Sequence, residues 1–356
     1  MLDLDDARRR FGWALTDEDR ARLPYYDALT RALADDETGL TLLAEVRVEQ
    51  RNPMLILASL HLLALEGDPI LAPLYDAVRD GDGGDPGAWA ARVLAVARSE
   101  PDAVRAHLHR ATQTNEPGRS AILQFAIPLA ATGAREVNVV ELGTSAGINL
   151  HFDRFPVAPV DGDDPLTLVC EDRGPVDRST PLPRVAARVG VDLEPLDLNR
   201  RDDQLWLLAC LWPEEPRRAA RLRAIIERRP TWPAVTILAG DALARLDDAL
   251  ALTTPGVPTV VIDTWFAPYL EEDAQREMHR RLAGLCASGA VSWVSVELPV
   301  AVRWPEPAHR TEAPNTGATE VVVTRAHGEP EHVGWCHHHG RWLLVDGPLG
   351  GGQTAQ

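Results

Sequence analysis

The sequence predicts an α/β protein in which a mostly parallel sheet follows an all-helical N-terminal region. Three observations predict this class. Apolar residues recur at spacings of three and four through the first third of the chain, which is typical of amphipathic helices. From residue 136 onward, short continuous apolar runs alternate with helical stretches, as in parallel sheets covered on both faces. A glycine-rich turn directly follows the first of these runs.

The N-terminal region is predicted to be helical because no alternating, strand-like pattern occurs before residue 136. We assign residues 1–118 to a helical cap region, 119–349 to the α/β domain and 350–356 to a disordered tail. The helical patterns of the cap region are Leu2–Leu15, Tyr25–Ala34, Leu40–Arg47, Pro53–Leu65, Ile70–Val78 and Trp89–Arg98.

The α/β domain is predicted from strand-like runs that are separated by helical ones. The candidate strands are Val137–Leu142, Leu166–Cys170, Ala186–Leu193, Val235–Leu238, Thr259–Ile262, Val291–Val296, Thr319–Thr324 and Arg341–Val345. The candidate helices are Ile148–Phe155, Gln204–Leu211, Pro216–Arg229, Ala242–Leu252 and Glu271–Ser288.

The composition excludes several classes of protein. The chain has 356 residues and a formal net charge of −17, and all 36 of its basic residues are arginine. P-loop NTPases and Schiff-base enzymes need a lysine that this chain lacks. The negative charge argues against nucleic acid or an anionic membrane as partner, because both bind basic surfaces. Four scattered cysteines and the lack of a long apolar segment favour a soluble cytoplasmic protein.

The most informative segment is the turn after the first predicted strand. That strand ends in Glu141-Leu142, and Gly143 and Gly147 then flank Ser145. A strand, a glycine turn and a helix start together form a typical site for nucleotide-like ligands, because glycines let the backbone turn tightly and approach the ligand with its N–H groups. The same GxSxG letters also fit a nucleophile elbow with Ser145 on a strained turn. A packing turn without a ligand is the third interpretation.

Acids recur at the ends of the later predicted strands. Asp192 ends the run VGVD, Asp241 lies in GDA, and Asp263 follows VVI. Together with the glycine turn, these segments resemble the motifs of class I S-adenosylmethionine-dependent methyltransferases, which occur in the same order. The resemblance implies a Rossmann-like sheet, S-adenosylmethionine as cofactor and methyl transfer to a small molecule.

By this resemblance, Asp192 would accept the ribose hydroxyls, since a carboxylate offers two acceptor oxygens, and Asp241 would face the adenine edge. The interval between the turn and Asp192 is longer than in that family, so Glu171 or Asp172 is the other candidate for the ribose acid. Asp263 and Glu297 are the catalytic candidates, the latter as a general base. The cofactor-binding candidates are Glu141, Gly143, Thr144, Ser145, Gly147, Asn149, Asp192, Gly240, Asp241 and Ala242.

The chain also resembles, over nearly its whole length, a bacterial family catalogued as domain of unknown function 2332. The landmarks are Thr112–Glu116 with Arg119, Glu141–Leu150 with Asp153-Arg154, Arg188–Asp197, Trp206–Pro213, Gly240-Asp241 and His339–Trp342. This resemblance implies a shared fold and no particular reaction. One departure is Asp263-Thr264-Trp265, where a His-Ser pair is expected, and it points to a different acceptor site. The substrate-binding candidates are Gln113, Asn115, Glu116, Arg119, Trp265 and Tyr269.

Two alternatives to a methyltransferase stay open. A serine hydrolase would combine Ser145 with Asp263 and a histidine among His332 and His337–His339. Against it, a hydrolase sheet has several strands before the elbow, and this interpretation leaves Glu141 without a role. The second alternative is a non-catalytic Rossmann-like binding module that keeps the cofactor turn.

The stretch Cys336–His339 is the only segment that invites a metal assignment. We expect no metal there, because neighbouring residues on an extended strand point to opposite faces. The spacing also matches no zinc pattern.

Overall fold

A computed structural model describes residues 4–12, 14–15, 17–47, 52–160, 162–299, 310–315 and 317–345. The predicted tail at residues 350–356 lies outside the described residues. The helices of the described chain are α1 (Leu4–Gly12), α2 (Asp17–Arg22), α3 (Pro24–Ala34), α4 (Glu37–Glu45), α5 (Met54–Leu65), α6 (Leu71–Arg79), α7 (Pro86–Ser99), α8 (Pro101–Arg105), α9 (Ser120–Ala131), α10 (Arg201–Ala209), α11 (Pro216–Arg228), α12 (Ala242–Ala251) and α13 (Glu272–Ala287). None of these helices is both long and apolar enough to cross a bilayer.

The strands of the described residues are β1 (Glu136–Leu142), β2 (Val157–Ala158), β3 (Leu168–Val169), β4 (Glu171–Arg173), β5 (Arg184–Asp192), β6 (Thr236–Ala239), β7 (Thr259–Thr264), β8 (Ser292–Glu297), β9 (Thr319–Thr324), β10 (Pro330–Cys336) and β11 (Trp342–Leu344). The strands β2 and β3 form a small parallel sheet of their own, and the other strands join one large sheet.

The chain divides into two compact units. A helical unit comprises Met1–Thr114 and Leu196–Pro230, and an α/β unit comprises Asn115–Pro195 and Thr231–Gln356. The segment 196–230, which the sequence analysis assigned to the α/β domain, groups with the N-terminal helices.

The helical unit is built around α5 and α10. Helix α5 carries apolar side chains all round and is buried along almost its whole length, so it forms the centre of the core. Trp206 of α10 is 1% exposed in the same core, and its indole N–H donates to the carbonyl of Ala111 at 2.9 Å. Side-chain caps begin two of the outer helices, Asp36 at α4 and Asp85 at α7.

The large sheet is mostly parallel, as predicted, and its order is β4-β11-β10-β9-β8-β7-β1-β5-β6. The five strands from β8 to β6 run parallel to one another. Strands β9, β10 and β11 continue the sheet as an antiparallel extension, and β4 pairs parallel to β11 at the edge. Strands β10 and β4 were not predicted from the sequence.

Each face of the sheet carries a different set of helices. Leu142 and Asp263 are partners in the β1–β7 ladder, so their side chains share the face that packs against α12 and α13. Glu141 is the partner of Gly190 and Ile262 and therefore lies on the opposite face, on the side of α9. We call these the α13 face and the α9 face.

Candidate functional site

The glycine turn lies where the strand order reverses. Strands β5 and β6 follow β1 on one side, whereas β7 and β8 lie on the other. In open α/β sheets, ligands bind outside the carboxyl ends of the strands at such a reversal. The predicted segment, residues 143–147, directly follows the carboxyl end of β1.

Backbone hydrogen bonds hold the turn against β5. The N–H groups of Gly143 and Thr144 both donate to the carbonyl of Val191, at 2.9 and 3.1 Å. The Gly147 N–H donates to the Thr144 carbonyl at 2.8 Å, and the Ile148 N–H donates to Asn115 Oδ1 at 2.9 Å. The expectation that these N–H groups point at a ligand is therefore not met, because protein acceptors already engage them.

The segment after the turn differs from the predicted helix. Residues Asn149–Arg154 form a short 3-10 helix that is interrupted at His151. Arg188 of β5 explains the local shape, since its guanidinium binds the carbonyl of Leu150 and both carboxylate oxygens of Asp153. With no long α-helix here, the helix dipole contributes little to a ligand site at this turn.

Three residues of the turn have positive φ, namely Gly143 at 71°, Ser145 at 53° and Gly147 at 73°. At Gly143 the absence of a side chain leaves room for the ring of Phe266. A Cβ there would lie 2.4 Å from the ring of Phe266, so the ring of the loop after β7 rests directly on the turn. Phe266 was not among the predicted site residues, although the aromatic pair Trp265-Phe266 directly after a buried strand was a signal for it.

Asp192, at the carboxyl end of β5, accepts a hydrogen bond from the backbone of the turn. One carboxylate oxygen accepts from the Ser145 N–H at 2.7 Å, and the other accepts from the Glu194 N–H at 3.0 Å. Burial raises the pKa of Asp192, and these two hydrogen bonds oppose the increase. The side chain is half-buried, so a ligand can reach it.

The sheet order separates the alternative candidates for the ribose acid. Strand β5, which ends in Asp192, is the neighbour of β1, whereas Glu171 and Asp172 lie on β4 at the far edge of the sheet. There they pair with Arg173 and Arg178. The two alternative acids are thus distant in the sheet from the glycine turn.

Glu141 is buried beneath the turn on the α9 face. Its side chain accepts a 2.6 Å hydrogen bond from the Thr144 hydroxyl. Burial raises the pKa of Glu141 to about 8, although Thr144, Asn149 and the charge of Arg119 act in the opposite direction. At neutral pH this acid is therefore mostly uncharged.

Several other predicted binding residues are buried near the turn and make hydrogen bonds to neighbouring segments. Asn149 is fully buried and accepts from Ser120 Oγ at 3.2 Å. Arg119 is 6% exposed and donates to the carbonyls of His338 and Thr264, at 3.0 and 3.1 Å. Glu116 caps the short helical turn before α9 by accepting from the Gly118 N–H at 2.9 Å.

The remaining predicted residues lie at three other positions. Asp241 caps α12, where it accepts from the Ala244 N–H at 2.8 Å and is exposed, while Ala242 is buried behind it. Gly240 donates its N–H to the carbonyl of Asp192 at 2.9 Å, which ties the end of β6 to that of β5. Gln113 belongs to the helical unit.

Trp265 and Tyr269 follow β7 and differ in exposure. The Trp265 indole donates to Thr319 Oγ1 at 3.0 Å, and the Arg119 guanidinium lies 5.8 Å from its ring centroid. Tyr269 is 62% exposed.

Asp263 and Glu297 form a buried pair on the α13 face. Asp263 accepts from the Trp293 indole and from Ser295 Oγ, the latter at 2.9 Å. Glu297 accepts from the N–H groups of Phe266 and Ala267, at 2.7 and 3.2 Å. Burial raises the pKa of Asp263 to about 6, and burial with the charge of Asp263 raises that of Glu297 well above its usual range. Burial thus favours the protonated form of both acids, which lie on the face opposite Glu141.

The structure does not bring Ser145, Asp263 and His332 into hydrogen-bond contact, as a serine hydrolase triad would require. Ser145 has the positive φ of a strained elbow, but its hydroxyl has no hydrogen-bond partner among the described residues. The carboxylate of Asp263 is bound to Trp293 and Ser295 on the other face. His332 instead pairs with Glu320, through Nδ1 and Oε1 at 3.0 Å.

The histidines 337–339 lie on a turn after β10, where the sequence analysis assumed an extended strand. The His339 N–H donates to His337 Nδ1 at 2.9 Å, and one ring nitrogen from each of the three histidines lies within 4.8 Å of the others. The geometric reason given against a shared metal is therefore wrong, since a turn brings neighbouring side chains together.

The fold and the site define a mixed α/β protein with a glycine turn, a half-buried acid and an aromatic ring at the reversal of a mostly parallel sheet. A family profile described as "Uncharacterized protein conserved in bacteria (DUF2332)" matches residues 8–344, and the chain belongs to this family. No curated protein and no solved structure matches the chain.

Proposed function

We propose that the protein binds S-adenosylmethionine at the glycine turn and acts as a methyltransferase on a small molecule. The observation that carries the proposal is the hydrogen bond from the Ser145 N–H to the Asp192 carboxylate, at the point where the strand order of the sheet reverses. The order β6-β5-β1-β7-β8 is that of a doubly wound Rossmann sheet read as strands 3-2-1-4-5, which supports a Rossmann-like assignment.

The residues at the turn fit the nucleoside portion of this cofactor. Asp192 offers carboxylate oxygens to a ribose, and Gly240 and Asp241 border the next strand end, where an adenine edge would lie. Ser145 contributes a buried hydroxyl that no described residue engages. Phe266, which rests on Gly143, would bound the methionine end.

When bound, S-adenosylmethionine supplies a methyl group activated by a sulfonium. The chain would contribute alignment and charge. Asp192 is the half-buried acid beside the turn, and its carboxylate would attract the positive cofactor, whereas Glu141 is mostly neutral and accepts a hydrogen bond from the Thr144 hydroxyl. Alignment of two reactants accounts for a large share of the barrier reduction in such displacements.

A binding protein without turnover is the second candidate function. The burial of Asp263 and Glu297, the two predicted catalytic acids, favours it, because both are at most 2% exposed. Titration with S-adenosylmethionine and a panel of small acceptors separates the two candidates. Binding without release of S-adenosylhomocysteine would support the second.

Calorimetry with S-adenosylhomocysteine tests the proposal. We expect saturable binding by the wild type and at least tenfold weaker binding by Asp192→Asn, which keeps an acceptor for Ser145 but loses the charge. Asp172→Asn, at the other edge of the sheet, is the matched control and should bind as the wild type does. A folded wild type that binds no S-adenosylhomocysteine would overturn the proposal.

A further inference from the structure

A β-bulge in the antiparallel extension places His332 between Glu320 and Thr311. The pairing of β9 and β10 shifts register between His332 and Gly334. A bulge inserts one residue, so side chains on its two sides can point to the same face. His332 and Trp335 accordingly contact each other, with ring centroids 5.2 Å apart. Gly334 is required here because a Cβ would lie 2.3 Å from the Leu344 carbonyl.

The His332 imidazole lies between the Glu320 carboxylate and the Thr311 hydroxyl and is within hydrogen-bonding distance of both. His332 Nδ1 lies 3.0 Å from Glu320 Oε1, and His332 Nε2 lies 3.3 Å from Thr311 Oγ1. The Trp335 indole donates to the same hydroxyl at 2.9 Å, and Arg310 Nε lies 3.1 Å from Glu320 Oε1.

The directions of these hydrogen bonds follow from the chemistry of the groups. The Glu320 carboxylate, paired with Arg310, only accepts, so His332 carries its proton on Nδ1. In its neutral form the imidazole then presents a lone pair at Nε2. Because the Trp335 indole only donates, the Thr311 hydroxyl accepts from it and directs its own proton to His332. This is the arrangement of nucleophile, base and orienting acid.

The burial of the three groups suits this arrangement. Glu320 and His332 are 5% and 6% exposed, which shields the pair from water, whereas Thr311 is half-buried and can be reached. Glu320 is also the partner of Glu297 in the β8–β9 ladder, so it lies on the α13 face. The buried acids Asp263, Glu297 and Glu320 thus share one face of the sheet. Bulges are over-represented next to active sites, where they re-aim a side chain.

We propose that Thr311 is the nucleophile of an acyl-transfer centre for carboxylic esters, with His332 as its base and Glu320 as the residue that orients the imidazole. Thr311 Oγ1 bonds to the ester carbonyl carbon and its proton moves to His332 Nε2. The bond from that carbon to the alcohol oxygen breaks, and the departing alkoxide takes the proton from His332. Water then repeats the sequence on the threonyl ester, which releases the carboxylic acid and restores the hydroxyl. This centre is independent of the proposed cofactor site.

A fluorophosphonate probe, followed by peptide mapping, tests the proposal together with hydrolysis of p-nitrophenyl acetate. We expect a mapped adduct on Thr311 that Thr311→Val abolishes and Thr311→Ser retains. His332→Gln should slow both labelling and hydrolysis by about a hundredfold, as expected for loss of a general base. Thr253→Val is the matched control, because that half-buried hydroxyl donates only to the Leu250 carbonyl at the end of α12 in the described contacts.

Mapping of the wild-type protein decides the outcome even if a variant fails to fold. An adduct on Ser145 would overturn the proposal in favour of the glycine-turn elbow. A folded wild type without an adduct on Thr311 would overturn it as well.

Discussion

At the scale of single residues, burial keeps Glu141 beneath the glycine turn mostly protonated at neutral pH. Glu141 is 1% exposed, and its position at the end of β1 places it under the turn, where burial dominates its ionisation. Sequence could predict the location of this acid, because it ends an apolar run, but not its charge. The charge depends on desolvation and on Arg119, which is brought near by the fold.

This protonation state predicts a pH dependence of stability. The folded-state pKa of about 8 exceeds the usual 4.5, so the folded chain keeps a proton that the unfolded chain has lost between these values. The stabilisation is full below about pH 4.5 and decreases as pH rises to about 8, by at most roughly 4–5 kcal/mol. Glu141→Gln should flatten that part of the profile of unfolding free energy in urea. An unchanged slope in the variant would contradict the neutral state of Glu141.

At the scale of secondary structure elements, the parallel strands were the most predictable part of the fold. Strands β1, β7 and β8 are largely apolar and almost wholly buried, as a strand covered on both faces requires, and β5 contributes the buried apolar run Val189–Val191. Strand β10 was missed because its sequence PEHVGWC starts with proline and contains the bulge, so no period of two survives. The pairing of Glu320 with His332 depends on that bulge and on strand register, which local periodicity does not carry.

The contact between the glycine turn and the loop after β7 predicts a specific effect of substitution. Gly143→Ala combines a positive φ with a clash at Phe266, whereas Gly133→Ala has the same strain at φ 79° and open space around its Cβ. We expect Gly133→Ala to cost about 1–2 kcal/mol, and Gly143→Ala to cost a further 1–3 kcal/mol. Chemical denaturation measures both, and equal losses would show that the Phe266 contact is unimportant.

At the scale of the whole molecule, the helical unit is made of two separate stretches of chain. Sequence patterns predicted the helices α10 and α11, but an amphipathic pattern shows only that a face is buried and not which partner buries it. Trp206 therefore belongs to a core formed mainly by residues before position 114, although it lies beyond β5 in sequence.

Hydrogen exchange on two tryptophan variants tests this organisation. Trp206→Ala should remove about 3–5 kcal/mol of stability and speed amide exchange most in α5 and α10, which pack together. Trp293→Ala is the matched substitution in the core of the α/β unit, and it should speed exchange most in β7 and β8. Fastest exchange in β5 and β6 after Trp206→Ala would contradict the division into these units.

The interrupted helical unit has a consequence for synthesis on the ribosome. The first 114 residues emerge without the segment 196–230 that completes their core. At usual translation rates the delay is on the order of ten seconds, which is long compared with helix formation and collapse. During this interval the apolar surface of α5 that later covers Trp206 is open to other chains. The nascent polypeptide is thus expected to need a chaperone most while β1 to β5 are being made.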